Sequence, residues 1–244
     1  MDRTSSNIRI DQIGFSGYKL VQNPDWFCYG IDAVLIADFA KLKKGAKAAD
    51  LGTGTGIIPL ILKHKYSPSI VYGVEVQPEV AELAEKTVEI NGVEDSIKIV
   101  NANVKNTPEI LGKETLDAVI TNPPYVGYGE GIKGAEQVKA IARHEIEGTV
   151  EDFIKCAAVL LKERGDFYMI NRPSRLVDVI DLCRRYRLEP KELQFIQPAE
   201  GKKPNIFMIH CVKYGRPELK FLDPICVYDE KGDYTQKILE IYER

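Results

Sequence analysis

The stretch AKAADLGTGTG, residues 46–56, decides the fold of this chain. A short apolar run leads into alternating glycines, and the apolar run IIPLIL follows at residues 57–62. This order predicts a strand, a tight turn and a helix, because glycine admits a positive φ and lets a ligand approach the backbone. Glu75 ends the next apolar run at the distance from the glycines at which a carboxylate typically binds a ribose diol. The pattern therefore predicts a nucleoside-like ligand at the carboxyl edge of a parallel sheet.

The glycine spacing alone leaves the cofactor open. A dinucleotide site typically has G-x-G-x-x-G, with the pyrophosphate on a helix N-terminus. Here Gly52, Gly54 and Gly56 alternate, and Asp50 precedes them. A carboxylate would repel a pyrophosphate but would suit a cation such as the ammonium group of S-adenosylmethionine. The D-L-G-x-G-x-G run resembles the first motif of Rossmann-like S-adenosylmethionine-dependent methyltransferases, with a nicotinamide or flavin enzyme as the alternative.

A second motif, Asn122, Pro123, Pro124 and Tyr125, follows the strand predicted at Leu116–Thr121. Two prolines end a strand because neither can donate to the ladder, so a simple Pro-Pro turn is one interpretation. The other interpretation is that the motif is catalytic. The asparagine amide oxygen and a proline-fixed carbonyl can accept both protons of one NH2 group, and the tyrosine offers a face for a planar base. The motif resembles the signature of amino-methyltransferases.

The remaining patterns predict an α/β protein of the Rossmann-like class I methyltransferase type. We expect a seven-stranded, mostly parallel sheet with helices on both faces and a C-terminal antiparallel hairpin of residues 188–196 and 205–213. Residues 30–40 predict a helix before the first strand. In the amino-methyltransferases that the two motifs resemble, such a segment covers the cofactor; a core helix with an acidic first turn is the alternative. We divide the chain into an N-terminal segment (1–45), a methyltransferase domain (46–213) and a C-terminal extension (214–244) that packs on the same domain.

Composition and charge limit the classes of protein. The chain has 244 residues, of which 44% are hydrophobic and 28% are charged, as expected for one α/β domain. Without a secretion signal or a bilayer-length apolar run, we expect a cytoplasmic protein. The five cysteines and three histidines are dispersed, which predicts reduced thiols and no metal.

The net charge of −3 argues against general nucleic-acid binding, but basic residues outnumber acidic ones between positions 161 and 220. This local excess predicts a phosphate-backbone footprint, although a solvated helix face would explain any single member. We also expect residues 127–148 to form a substrate-side lid in which Arg143 holds a phosphate. The predicted RNA contacts are Arg143, Arg172, Arg175, Lys202 and Lys203.

The whole chain resembles the bacterial tRNA adenine-N(6) methyltransferases that modify the adenosine beside the anticodon of valine tRNA. The resemblance covers roughly residues 15–240. It is carried by FCYGIDAVLIADF, DLGTGTGIIPL, GVEVQPE, TNPPY, AIARHEI, NRPSRLVDVI and GKKPNIFMI. Of these, ARHEI, RPSRL and GKKPN are typical of this subfamily, whereas the glycine motif and the Asn-Pro-Pro-Tyr motif are shared by many amino-methyltransferases.

The resemblance implies S-adenosylmethionine as cofactor, tRNA as partner, no metal and no membrane, and a monomer. It implies that Asn122, Pro123, Pro124 and Tyr125 form the catalytic turn. Asn103 stands where the family often has an aspartate for the adenine amine of the cofactor. The cofactor-binding residues implied are Tyr29, Gly30, Asp32, Asp50, Gly52, Thr53, Gly54, Glu75, Val76, Asn103, Val104 and Asn122.

Three alternative functions remain open at this stage. A glutamine-N5 methyltransferase acting on release factors shares the Asn-Pro-Pro-Tyr turn, but residues 1–45 are expected to be too short for its helical substrate domain. A DNA adenine methyltransferase usually has a target-recognition domain, for which we find no room. A non-catalytic cofactor-binding protein is the third, and the intact catalytic turn argues against it.

Overall fold

A nine-stranded sheet organises the part of the chain that this computed structural model describes, residues 7–26, 29–124 and 148–243. Two N-terminal strands, β1 (Arg9–Gln12) and β2 (Lys19–Gln22), form a separate antiparallel hairpin. The strands of the main sheet are β3 (Lys47–Leu51), β4 (Ile70–Glu75), β5 (Ile97–Asn101), β6 (Leu116–Thr121), β7 (Leu161–Asn171), β8 (Leu188–Ala199), β9 (Ile206–Lys213), β10 (Lys220–Phe221) and β11 (Ile225–Tyr228).

Helices cover both faces of this sheet, and local sequence explains where several of them start. Thr149 and Asp152 form a reciprocal capping box: the Asp152 amide donates to Thr149 Oγ1 at 3.2 Å, and the Thr149 amide donates to Asp152 Oδ2 at 2.9 Å. The helices are α1 (Ile31–Phe39), α2 (Ile57–Tyr66), α3 (Pro78–Ile90), α4 (Thr107–Leu111), α5 (Val150–Leu160), α6 (Leu176–Arg185) and α7 (Gln236–Ile241).

The strand order is β10-β8-β9-β7-β6-β3-β4-β5, with β11 beside β8. Strands β5, β4, β3, β6 and β7 are parallel, and β9 runs antiparallel to both β7 and β8. The chain therefore reverses its direction of sheet growth between β3 and β6, the switch point at which α/β proteins bind ligands. The parallel strands end at one side, which we call the carboxyl edge; the opposite side is the amino edge. The β8–β9 loop also lies at the carboxyl edge, because β8 is parallel to β7.

Two hydrophobic layers hold the sheet between the helices. One contains α1 and α2 and includes Ala48 of β3, while the other contains α5 and α6 and includes Ala49. Because side chains alternate along a strand, Asp50 lies on the same face as Ala48, beneath the α1–α2 layer. The fold thus places this carboxylate near the end of a strand that is buried from Ala48 to Leu51.

The predicted fold class is confirmed, and the structure adds details that the patterns did not predict. The C-terminal extension contributes two strands, β10 and β11, which are separated by residues 222–224, where Pro224 has no amide hydrogen to donate. The resulting pairs with β8 bring the sheet to nine strands. The β1–β2 hairpin was missed because its strands are short and β1 is largely exposed. Helix α5 ends at Leu160, and β7 follows directly.

The described ranges lack both a membrane-spanning helix and a group of side chains arranged to bind a metal ion. None of their helices combines the length and apolar composition needed to cross a bilayer. In the same ranges, no group of three or more His, Cys, Asp and Glu side chains is arranged to hold a metal ion.

Candidate functional site

The glycine loop after β3 is fixed against β4 by its own backbone. The amides of Gly52 and Thr53 both donate to the Val74 carbonyl at 2.9 Å. Gly52, Gly54 and Gly56 have φ angles of 78°, 56° and 91°, which favour glycine over every other residue. A Cβ built on Gly54 meets no atom within 4 Å, so the loop presents bare backbone to open space. This is the geometry that lets a ligand lie against the main chain.

Asp50, at the end of β3, carries a buried carboxylate without a partner. The residue is 0% exposed, and neither carboxylate oxygen accepts a hydrogen bond from any described group. Burial raises the pKa of Asp50 to about 7; the nearby Thr53 hydroxyl opposes this shift and the Glu75 carboxylate adds to it. A buried acceptor without a donor is costly, and a bound cation would remove that cost. Asp50 therefore fits an ammonium group.

Glu75 is the second carboxylate of the site, and two backbone amides fix its orientation. Gly54 donates to Glu75 Oε2 and Gln77 donates to Glu75 Oε1, each at 3.0 Å. The first of these bonds ties the end of β4 to the glycine loop. A carboxylate is a hydrogen-bond acceptor with about four lone-pair sites, which is the chemistry that a diol requires. The residue is 6% exposed, as expected for a carboxylate at the base of a ligand site.

The residues predicted to surround the adenine of the cofactor follow β4 and β5. Val76 is half-buried and Val104 is buried. Asn103 Oδ1 accepts a hydrogen bond from the Lys105 amide at 3.0 Å, and the Asn103 carbonyl accepts from the amide of Thr107 at 3.1 Å. Asn103 therefore shapes the turn into α4.

The catalytic motif begins where β6 meets the end of β3. Thr121 pairs with Leu51 in the sheet, and Thr121 Oγ1 donates to the Leu51 carbonyl at 2.8 Å in a buried position. Asn122 and Pro124 are half-buried and Pro123 is buried. The motif and the glycine loop thus leave adjacent strands at the same edge. Tyr125 lies outside the described residues.

Helix α1 lies on the Asp50 face, with its first turn toward the carboxyl edge. The Tyr66 hydroxyl, at the end of α2, donates to the Asp38 carbonyl at 3.3 Å, so the last turn of α1 lies at the amino edge. The start of α1, with Gly30 and Asp32, is therefore directed toward the glycine loop. The Tyr29 amide donates to Gln22 Oε1 at 3.2 Å, which ties this start to β2.

Four of the five predicted RNA contacts lie at the carboxyl edge. Arg172 is exposed just after β7, and Arg175 is half-buried and pairs with Asp178 at 2.9 Å. Lys202 and Lys203 are exposed in the β8–β9 loop. The topology therefore brings these residues to the side of the sheet that bears the catalytic motif. The fifth, Arg143, and residues 127–147 of the expected lid lie outside the described residues.

Asn171 is a buried polar residue at the carboxyl edge that the sequence patterns did not single out. It ends β7, beside β6, and is 2% exposed. Its Oδ1 accepts from the Arg172 amide at 2.8 Å, whereas no described group accepts a hydrogen bond from its Nδ2. Buried donors are rarely left unpaired, and the exceptions call for an explanation. The signal in the sequence was an amide residue after the apolar run of the strand next to the catalytic one.

Comparison with known proteins agrees with this geometry. The family model for the methyltransferase small domain matches residues 18–181. A tRNA1(Val) (adenine(37)-N6)-methyltransferase from Pedobacter heparinus is 28% identical over 205 residues, covering 84% of each chain. One from Porphyromonas gingivalis is 24% identical over 245 residues, covering 96% of this chain and 94% of the relative.

A solved structure shares the architecture as well. The crystal structure of a predicted O-methyltransferase from Agrobacterium tumefaciens superposes with a TM-score of 0.70 at 22% identity, over 87% of this chain and 95% of that one. The family match includes the glycine loop, both buried carboxylates and the Asn-Pro-Pro motif, and it extends over more than half of the sequence. The chain therefore belongs to the methyltransferase small domain family.

Proposed function

We propose that this methyltransferase uses S-adenosylmethionine to methylate the exocyclic amine of an adenine in tRNA, at the adenosine beside the anticodon of tRNA(Val). The observation that carries the proposal is the buried bond between Thr121 Oγ1 and the Leu51 carbonyl, because it joins the ends of the cofactor strand and the reaction strand. The two relatives that match most of this chain and bear that activity in their names support the choice of substrate.

The described residues provide a fitting site for the cofactor, which when bound supplies an electrophilic methyl group on a sulfonium. Asp50 holds the ammonium of the amino-acid end, because its buried carboxylate has no other described partner. Glu75, whose orientation is fixed by two backbone amides, accepts the ribose hydroxyls. Val76 and Val104 flank the adenine, and Asn103 Oδ1 accepts a hydrogen bond from the adenine amine. Gly54 leaves the space that a side chain would fill.

The catalytic motif acts by orientation. An exocyclic adenine amine is a poor nucleophile because its lone pair is delocalised into the ring. Asn122 Oδ1 and the Pro123 carbonyl accept its two N–H bonds, which favours a more tetrahedral nitrogen with its lone pair directed at the methyl group. Positioning and fixed dipoles then supply most of the catalysis. No general base is needed before transfer, since the product ammonium is strongly acidic and loses its proton to water. Tyr125 is assigned the stacking face.

Phosphate contacts at the carboxyl edge place the RNA over this motif. Arg172, Arg175, Lys202 and Lys203, together with Arg143, neutralise backbone charge. The target base must leave its stack to reach Asn122, and an unpaired anticodon loop lowers that cost. We propose that no second subunit is required and that the enzyme acts as a monomer.

The test is methyl transfer from labelled S-adenosylmethionine to total bacterial tRNA, followed by digestion to nucleosides. We expect label in N(6)-methyladenosine. Asn122→Ala should lower the rate by 10²-fold or more, by analogy with the loss of one oriented catalytic donor, and should still bind the cofactor. Transfer to DNA or to a release-factor glutamine instead of tRNA would retain the chemistry and refute the substrate. An Asn122→Ala variant as active as the wild type would refute the mechanism.

A further inference from the structure

A basic pocket lies at the amino edge of the sheet, on the α5–α6 side and away from the catalytic motif. We propose that it binds backbone phosphates of the RNA substrate, in the stem beyond the methylated base; this rests on the proposed function. The pocket has a volume of about 470 Å³. The residues of its lining on which the proposal depends are Lys113, Lys155, Arg185, Arg187, Lys213 and Tyr214.

Most of the charge in the pocket is available to a ligand. Its lining contains five cations and a single carboxylate, Glu114. Lys213 is held in place, because its Nζ donates to the Leu161 carbonyl at 2.7 Å and pairs with that carboxylate at 3.0 Å. Arg185 pairs with Asp181 at 2.7 Å.

The other three cations of the pocket lining, unlike Lys213 and Arg185, have no ion pair within the described ranges. Lys113, Lys155 and Arg187 are exposed, and none of them has an ion-pair partner among the described residues. Three unpaired cations around one pocket are unusual in a chain with a net charge of −3. Clustered cations of this kind are the electrostatic footprint of a polyanion.

The backbone of the pocket indicates that its side chains have a role beyond folding. Glu114, Arg187 and Tyr214 have φ angles of 55°, 64° and 54°, in the region that favours glycine. Arg187 directly follows the C-cap of α6, where glycine is the usual residue, and its carbonyl accepts from the Tyr214 amide at 2.8 Å. Large side chains held in disfavoured backbone conformations are typical of functional sites. Tyr214 is also 53% exposed, and Lys213 Nζ lies 5.5 Å from the centroid of its ring.

Helix α6 connects the pocket to the catalytic edge. It begins after Arg175 at the carboxyl edge and ends at Arg185, which lines the pocket. At a rise of 1.5 Å per residue this path is roughly 15 Å long. Along the same helix the exposed Arg184 pairs with Glu189 at 3.3 Å, and the exposed carboxylates of Asp178 and Asp181 are paired with Arg175 and Arg185. An RNA strand whose base lies at Asn122 can therefore follow α6 with its phosphates and reach the pocket.

The test compares the wild type with the triple variant Lys113→Ala/Lys155→Ala/Arg187→Gly. Binding to full-length tRNA should weaken by about tenfold near 0.1 M salt, and the slope of log K against log salt should flatten by about three, one for each lost phosphate contact. Affinity for S-adenosylmethionine and kcat at saturating tRNA should be unchanged. A hairpin limited to the anticodon loop and its closing pairs should bind both proteins equally, because it does not reach the amino edge.

Two controls separate charge and folding from recognition. Lys44→Ala/Lys231→Ala removes two exposed cations elsewhere on the surface and should leave tRNA binding unchanged. Arg187→Gly alone should raise Tm by about 2–4 °C while weakening tRNA binding. Ser67→Gly, at φ 49° after α2, should raise Tm similarly without any effect on binding. A stabilised protein that binds RNA less well cannot be explained by misfolding.

The outcomes distinguish this inference from the proposed function. If the wild type methylates adenine in tRNA but the triple variant binds tRNA equally well, the pocket is not an RNA site and the proposed function stands. An equal loss of binding for tRNA and the short hairpin would also overturn the inference. If the wild type neither binds nor methylates tRNA, both proposals fail.

Discussion

Replacing Asp50 by asparagine should stabilise the cofactor-free protein at alkaline pH and weaken cofactor binding. The carboxyl group is fully buried, and its pKa is raised from 3.8 to about 7. At about 1.36 kcal/mol per pKa unit, keeping this group ionised in the folded state costs up to about 4 kcal/mol above pH 7. Asparagine has nearly the same shape and carries no charge, so the variant does not incur this cost.

The sign of this pH dependence of stability follows from proton uptake by Asp50. Between pH 3.8 and about 7 the folded wild type keeps the Asp50 proton, while the unfolded chain has released it. The free energy of unfolding of the wild type therefore falls as pH rises through this window and levels off above pH 7. The variant lacks this contribution. Its advantage over the wild type should be small near pH 4 and largest above pH 7.

Urea unfolding of both proteins at pH 5.5 and pH 8.5 measures the effect. The stability difference between Asp50→Asn and the wild type should grow by about 2 kcal/mol between these two values. Asp95→Asn, which neutralises an exposed carboxylate, is the matched control and should show no such growth. A difference independent of pH would mean that Asp50 is already ionised at pH 5.5, and the argument from burial would be wrong.

The same titration should govern cofactor affinity. A carboxylate that holds an ammonium must be ionised, so the affinity of the wild type for S-adenosylmethionine should increase as pH rises through about 7. The Asp50→Asn variant should bind more weakly and should lose this dependence. Calorimetric titration of both proteins with S-adenosylmethionine, at pH values below and above 7, measures these affinities. A wild-type affinity that falls with pH would exclude Asp50 as the partner of the ammonium.

Two further predictions concern the glycine loop and the buried strand contact. Gly54→Ala should cost about 1 kcal/mol of stability because of its positive φ and should also abolish cofactor binding, whereas Gly92→Ala, at φ 61° in an open turn, should cost the same and leave binding intact. Equal cofactor affinity in the two variants would show that the space beside Gly54 is not the site. Thr121→Val should cost about 1–3 kcal/mol by leaving the Leu51 carbonyl unpaired, and it should lower kcat more than it raises KM for tRNA. A variant of normal stability and kcat would show that this bond does not position the catalytic motif.

The parts of the fold that could be predicted were those in which a local pattern has one structural solution. The positive φ angles of the loop after β3 are accessible to few residues besides glycine, and two prolines must end a strand. The turns after β3 and β6 could therefore be predicted from the sequence. Parallel strands end at one edge, which brought Asp50 and Asn122 together without any knowledge of distances. Chemistry that depends on strand ends is therefore accessible to sequence reasoning.

What could not be predicted depends on contacts between distant segments. The unpaired Nδ2 of Asn171 depends on which groups pack around it, and an apolar pattern does not specify that. The basic pocket is built from three connections that are far apart in sequence, at Lys113, Arg187 and Tyr214. The left-handed conformation of Arg187 and Tyr214 was also invisible, because the sequence has no glycine there to signal it.

The reversed strand β9 accounts for the position of both basic regions. It leaves the carboxyl edge just after Lys202 and Lys203 and reaches the amino edge at Lys213 and Tyr214, so one strand separates two groups of cations. A sheet made only of parallel strands would return each connection through a helix. The direct return instead places both ends of β9 beside the ends of α6, which packs against β8. Two phosphate-binding regions a helix length apart can fix the direction of an RNA strand as well as its position. The antiparallel end of the sheet makes that arrangement possible.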